Sequence, residues 1–209
     1  MTQMSPDKIT RHALILIDQE GSVFSMRRLG KELGVDAKAV YYYFPSKSNL
    51  INAVLQLALT EMTLPDLAKL AWQEQLRVLA REYYNVATNH PNLIPFMMRV
   101  DGTMPAAFDV VEHLVSALAT TPLKPTSIVQ IIDLFLCFLP SFASGTPAEG
   151  DDQDTLLGAV QALPETTYPA IKALAGALGK TALVEDIDLQ ISIVLWGIEA
   201  LIEKEGTNV

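Results

Sequence analysis

Residues 25–50 read SMRRLGKELGVDAKAVYYYFPSKSNL, and this stretch decides the fold. Ser25 is placed to cap a short helix over 26–33, which Gly34 ends. Asp36 caps a second short helix over 37–44, which stops before Pro45. Two helices of this length joined by a Gly-containing turn have helix-turn-helix proportions. Leu29, Leu33, Val35, Val40 and Phe44 are spaced to bury the facing sides of the pair. At 100° per residue, Tyr42 then points directly away from the core, with Lys38 and Ala39 beside it and Tyr41 and Tyr43 on the flanks. Such a face suits a DNA duplex. Lysine meets guanine edges or phosphate, alanine can touch a thymine methyl, and tyrosine hydroxyls bond phosphate oxygens. The next helix begins at Ser46-Lys47 and offers free backbone N–H groups to a phosphate.

Outward from this stretch the pattern stays helical, and the expected fold class is all-α. Ser5-Pro6 opens a helix over 6–20, with Gly21 as its stop and Ile9, Ala13, Leu16 and Ile17 as its inner face. Ser46 caps a helix over 47–62 whose stripe is Leu50, Ile51, Val54, Leu55, Ala58 and Met62. Further helices are expected over 66–89, 91–99, 105–119, 126–142, 155–163, 165–178 and 182–205, with 144–154 as a loop. The division expected is a helix-turn-helix domain over 1–62 and a helical ligand-binding and dimerisation domain over 63–209.

The chain has 209 residues, half of them hydrophobic, enough for a sizeable core without staples. Its single cysteine, Cys137, excludes an internal disulfide framework and fits a reducing, cytoplasmic setting. The first ten residues lack the apolar stretch of a signal peptide. The most apolar run, 128–142, carries Gln130, Asp133 and Pro140, so no membrane partner is expected. The net charge of −9 hides an asymmetry: residues 1–50 carry +2 and the remainder −11. A basic end on an acidic body suggests that only one end meets a polyanion.

Together these residues resemble the DNA-binding domain of the tetracycline-repressor (TetR) family of bacterial regulators. The L-G-x-x-x-x-V-Y-Y-Y-F core, the following P-S-K-x-x-L and the capped helix before them carry the resemblance, over about residues 6–60. It implies an all-α homodimer whose second half binds a small-molecule inducer. It implies base contacts near Arg27, Ala37, Lys38, Ala39 and Tyr42, and phosphate contacts near Ser25, Tyr41, Tyr43 and Lys47. Arg28 is a further candidate. Met26 stands where family members often carry a small hydroxyl residue.

The second half has no motif of that strength. Residues 81–98 and 109–115 resemble the C-terminal domain of the tetracycline repressor's own branch. There, a metal-ligating histidine stands three residues before the threonine of a G-T-x-P turn. Here Gly102-Thr-Met-Pro105 places Val100 at that position, so magnesium–tetracycline binding is not expected, nor any other metal or cofactor. Trp72, Tyr83, Phe96, Met97, Met104, Phe108, Phe135 and Phe138 cluster as candidates for an apolar ligand pocket, with His113 as a polar member. The simpler reading of each, taken singly, is a core residue. Ile128, Ile132 and Phe135 on one helix, and Ile187, Ile191, Leu195, Ile198 and Ile202 on another, are the candidate dimer surface, a four-helix interface between two copies.

Catalysis is not expected. Gly176-Ala-Leu-Gly-Lys-Thr181 imitates a phosphate loop, but Leu174 stands where its first glycine should be and a helix precedes it. The three histidines and one cysteine are scattered. The function expected is a dimeric repressor that reads a palindromic operator in double-stranded DNA and is released by a small molecule. The alternatives are a helix-turn-helix regulator whose body binds a protein or only dimerises, and a ligand-binding or enzymatic helical protein that never touches DNA.

Overall fold

The computed structural model describes residues 4–98, 107–144, 159–178 and 186–207. Among them there is no strand. Four short helices come first: α1 (Pro6–Glu20), α2 (Met26–Glu32), α3 (Ala37–Tyr43) and α4 (Lys47–Leu59). Each starts where its capping residue stands. Ser5 Oγ accepts from Lys8 N, Ser25 Oγ from Arg28 N, Asp36 Oδ1 from Lys38 N and Ser46 Oγ from Asn49 N. Such caps contribute about 1 kcal/mol apiece. α1 packs against α4 through fully buried Ile9, Ala13, Ile17, Leu50 and Val54. Burying a Leu- or Ile-sized side chain is worth roughly 1.5–3 kcal/mol, so this pair anchors the first four helices.

The body follows as α5 (Trp72–Asn89), α6 (Ile94–Met97), α7 (Phe108–Leu118), α8 (Pro125–Ser144), α9 (Pro169–Leu178) and α10 (Ile187–Gly206). α5 is its axis, packing on α4, α7 and α8. The helix expected over 66–89 is broken: a 3-10 turn at Leu67–Lys69 gives way to extended backbone at Leu70 and Ala71 before α5 begins. α4 ends at Leu59 rather than 62, in a turn where Thr60 Oγ1 donates to Leu57 O and competes with the helical pattern. The segment expected over 91–99 opens as a 3-10 turn and becomes α6. Of the expected 155–163 helix, the described part is helical over 159–162.

α8 runs through Pro140 without stopping. Over Pro125–Ala143 it is long and apolar enough, by length and composition, to cross a membrane, which the sequence reading did not expect. Its inward side chains Ile131, Phe135, Leu139 and Ala143 are buried, and it packs against α5, α6 and α7. On its other sides Val129, Leu134 and Phe138 are exposed, and 33% of the apolar window is buried.

Compactness divides the chain into residues 1–144 with 188–209, and residues 145–187. In the second unit Tyr168, just before α9, and Ile171 and Leu174 on α9 are exposed, and Lys172 Nζ donates to Gln161 O at 2.7 Å.

Candidate DNA interface and ligand cleft

The turn between α2 and α3 is built by two glycines. Gly34 has φ +70°, the left-handed conformation that lets the chain leave α2. Gly30 permits the close approach of the two helices: a Cβ there would lie 3.0 Å from Val35 O and 3.1 Å from Ala37 N. Val40 is fully buried and Phe44 nearly so, which fixes the rotation of α3. Tyr42 is consequently 83% exposed and Tyr41 47% exposed. Lys38 is exposed on the same face, with Ala37, Ala39 and Tyr43 half-buried beside it. Ser25 and Arg27 are exposed at the start of α2. Among the described residues, no ion pair engages Arg27, Lys31 or Lys38.

Three of the expected contact residues also hold the head together. Arg28 bonds Glu20 (Nη2–Oε1 2.7 Å) and Glu32 (Nη1–Oε2 2.7 Å), tying α2 to the end of α1, and these hydrogen bonds hold its guanidinium even more firmly protonated. It therefore also braces α2 against α1 from the exposed surface. The Tyr43 hydroxyl donates to Met4 O at 3.1 Å, and the Tyr43 ring stands edge-on to Tyr42 at 5.2 Å. Lys47 Nζ donates to Phe24 O at 2.8 Å and lies 5.2 Å from the Phe24 ring centre.

A histidine the sequence reading did not single out joins head to body. His90 is buried at the end of α5. Its Nδ1 lies 2.9 Å from Asp18 Oδ2 on α1, and its Nε2 lies 3.2 Å from Glu61 Oε2 just beyond α4. Asn92 Nδ2 adds a bond to Asp18 O at 2.9 Å. Its partners stand 72 and 29 positions away, so no local pattern could have marked it.

An open apolar cleft lies between α5, α8 and α10. Leu76 and Ala80, then Leu134, Phe135, Phe138 and Leu139, then Ile191, Val194 and Leu195 form its walls. Of the expected pocket residues, Phe135 and Phe138 line it. Tyr83 and Met97 are core residues, Trp72 and Phe96 are half-buried elsewhere, and Phe108 is 62% exposed. His113 spends Nδ1 on Asp109 O at 2.6 Å. Met104 lies outside the described residues. The aromatic clustering seen along the sequence therefore spreads over several faces in space.

The expected dimer stripe also needs correcting. Ile191, Leu195 and Ile198 are buried within their own chain, Ile187 and Ile202 are half-buried, and Ile128 and Ile132 on α8 are half-buried. The most regular apolar stripe of α10 is spent on the chain's own core. The face left outside carries Leu189, Ile193 and Trp196, the last 60% exposed. α10 is fastened by polar clips: Arg81 to Asp188, Arg77 Nη1 to Ser192 Oγ at 3.2 Å, Gln73 to Glu199 at 3.3 Å, and Glu205 to Lys124 N and Ser127 Oγ, each at 2.7 Å.

A helix-turn-helix reader with an outward lysine–tyrosine face, carried on a helical body, is a DNA-binding regulator. Residues 9–54 match the family described as bacterial regulatory proteins, tetR family, and residues 64–202 match the tetracyclin repressor-like C-terminal domain. The chain belongs to the TetR family of transcriptional regulators, which are not enzymes. Among curated relatives, the transcriptional repressor DrrR1 of Streptomyces coeruleorubidus is 28% identical over 60% of this chain and 47% of its own length. The repressor Rv1353c of Mycobacterium tuberculosis is 32% identical over 46% of this chain and 38% of its own. The chain thus spans less than half the length of these relatives. Among solved structures, ActR of Streptomyces coelicolor in complex with (S)-DNPA superposes with TM-score 0.81 at 25% identity, over 96% of this chain and all of that one. ActR has also been solved with actinorhodin, at TM-score 0.80.

Proposed function

We propose that this protein is a cytoplasmic, dimeric repressor that reads a palindromic operator and is released by an apolar small molecule held in its body. Residues 1–62 form the reading head, and residues 63–209 form the ligand and dimer part. Lys38, Tyr42, Arg27, Ala37 and Ala39 reach base edges, while Ser25, Tyr41, Tyr43 and the start of α4 at Lys47 meet phosphates. The single observation that carries this reading is the α3 face: Lys38, Tyr41 and Tyr42 project from a helix whose opposite side is locked into the core. Two such helices, one per copy, would enter successive major grooves about 34 Å apart. The exposed Leu189, Ile193 and Trp196 of α10 and Val129 of α8 supply apolar surface for the second copy. The ligand reading is supported by the cleft and by the ligand-bound structures of ActR. Ligand would shift the population toward a state whose two heads are wrongly spaced.

The test is selection of bound fragments from randomised duplex DNA, followed by affinity measurements on the enriched site. A palindrome with half-sites about one turn apart is expected. Lys38→Ala and Tyr42→Ala should each cost about 1–3 kcal/mol of operator affinity with unchanged thermal stability. Absence of enrichment above non-specific binding, or full affinity in both variants, would sink this assignment.

A further inference from the structure

Tyr83 is the largest fully buried side chain of the protein's described core, at 0% exposure, and its hydroxyl has no partner among the described residues. Burial pushes the phenol far above its usual range, with a contribution from Cys137, so the hydroxyl stays protonated and is a donor. A buried donor without an acceptor is costly, and native structures keep few of them. Its position is informative. Leu76 and Ala80 line the cleft, and Tyr83 follows at the next helical step of that face of α5. The ring of Phe135, itself part of the cleft wall, lies 6.4 Å from the Tyr83 ring at 39°.

We propose that the Tyr83 hydroxyl is the polar anchor of the cleft, donating a hydrogen bond to a carbonyl-type acceptor on a neutral, otherwise apolar ligand. This rests on the ligand reading given above. The cleft walls are entirely Leu, Ile, Val, Ala and Phe, which disfavours a charged guest. Tyr83 stands behind Phe135 and is not itself part of the cleft wall, so in this proposal the Phe135 ring turns aside as the guest enters and exposes the hydroxyl to it. An arriving acceptor then meets a donor that is already desolvated, so the bond costs the protein little additional desolvation. An apolar guest of the same shape without the acceptor fills the same walls and leaves the hydroxyl unpaired.

The matched probes are 9-fluorenone and fluorene, which differ in the carbonyl and, unlike quinones, leave the Cys137 thiol unmodified. Equilibrium dialysis measures both against the full-length protein and against Tyr83→Phe, whose folding is verified by thermal unfolding. The wild type is expected to bind fluorenone roughly three- to tenfold tighter than fluorene, and Y83F to bind the two equally. A measurement that needs no variant is the infrared carbonyl band of bound fluorenone, expected below its position in hexane. Equal binding of both probes by the wild type, a preference that survives in Y83F, or a hexane-like band would overturn the anchor while leaving the cleft a ligand site. Failure of both probes to bind up to their solubility limits would overturn the ligand reading and the anchor with it.

Discussion

Gly30→Ala tests the helix-turn-helix geometry most directly. The added methyl would stand 3.0 Å from Val35 O and 3.1 Å from Ala37 N, both backbone atoms of the turn and of the α3 start. No side chain can swing aside, so α2 and α3 must move apart by a few tenths of an ångström. Overpacking of this kind costs about 1–3 kcal/mol, offset by about 1 kcal/mol of helix propensity gained when Ala replaces Gly. The net loss of stability is therefore small, between about zero and 2 kcal/mol, or a melting point lowered by at most about 8 °C at this chain length. Operator affinity should fall further, because α3 carries its whole reading face with it. At least a tenfold loss is expected, equivalent to about 1.4 kcal/mol. Fluorescence anisotropy on a labelled operator, run beside thermal unfolding, reads both. Gly34→Ala is the control: it meets nothing within 4 Å but holds φ +70°, so it should cost about 1–2 kcal/mol of stability and leave affinity intact. A Gly30→Ala protein with wild-type affinity and wild-type melting point would refute the close-approach argument.

Two other perturbations probe the joints of the molecule. His90→Ala should lower stability by about 1–2 kcal/mol, the low end for stranded buried partners because Asp18 and Glu61 keep some solvent contact. Chemical denaturation measures it, and an unchanged midpoint would show that the bridge between head and body is idle. Trp196→Glu places a charge on the exposed face of α10 and should convert dimer to monomer at micromolar concentration. Light scattering after gel filtration decides, with a retained dimer mass pointing to a different surface.

How far the sequence could be read depended on the range of the interactions involved. Ser5, Ser25, Asp36 and Ser46 act on backbone groups two or three residues away, so the starts of α1 to α4 were legible to the residue. Val40, Tyr42 and Phe44 lie within two turns of one helix, so the outward face of α3 followed from periodicity alone. The body was harder. Phe108 and Phe135 look alike in sequence, yet one is exposed at the first turn of α7 and the other is buried against Tyr83. The stripe on α10 identified an apolar face correctly but not whether its own chain or a second copy would cover it. The glutamates that hold Arg28 were both visible, one eight residues before it and one four after, and that i,i+4 spacing to Glu32 was the available warning against counting it as a free contact.

α10 has two apolar sides with different neighbours. One, with Ile191, Val194 and Leu195, walls the cleft; the other, with Leu189, Ile193 and Trp196, faces outward. If copies associate through the outward side, the guest and the second subunit press on opposite sides of one lever. If the guest also shifts dimerisation, reciprocity requires dimerisation to shift guest affinity in return, and ligand affinity becomes a function of protein concentration. The molecule would report its own abundance together with that of its ligand, and the polar clips from Arg77, Arg81 and Glu205 would set how stiffly the two readings are geared together.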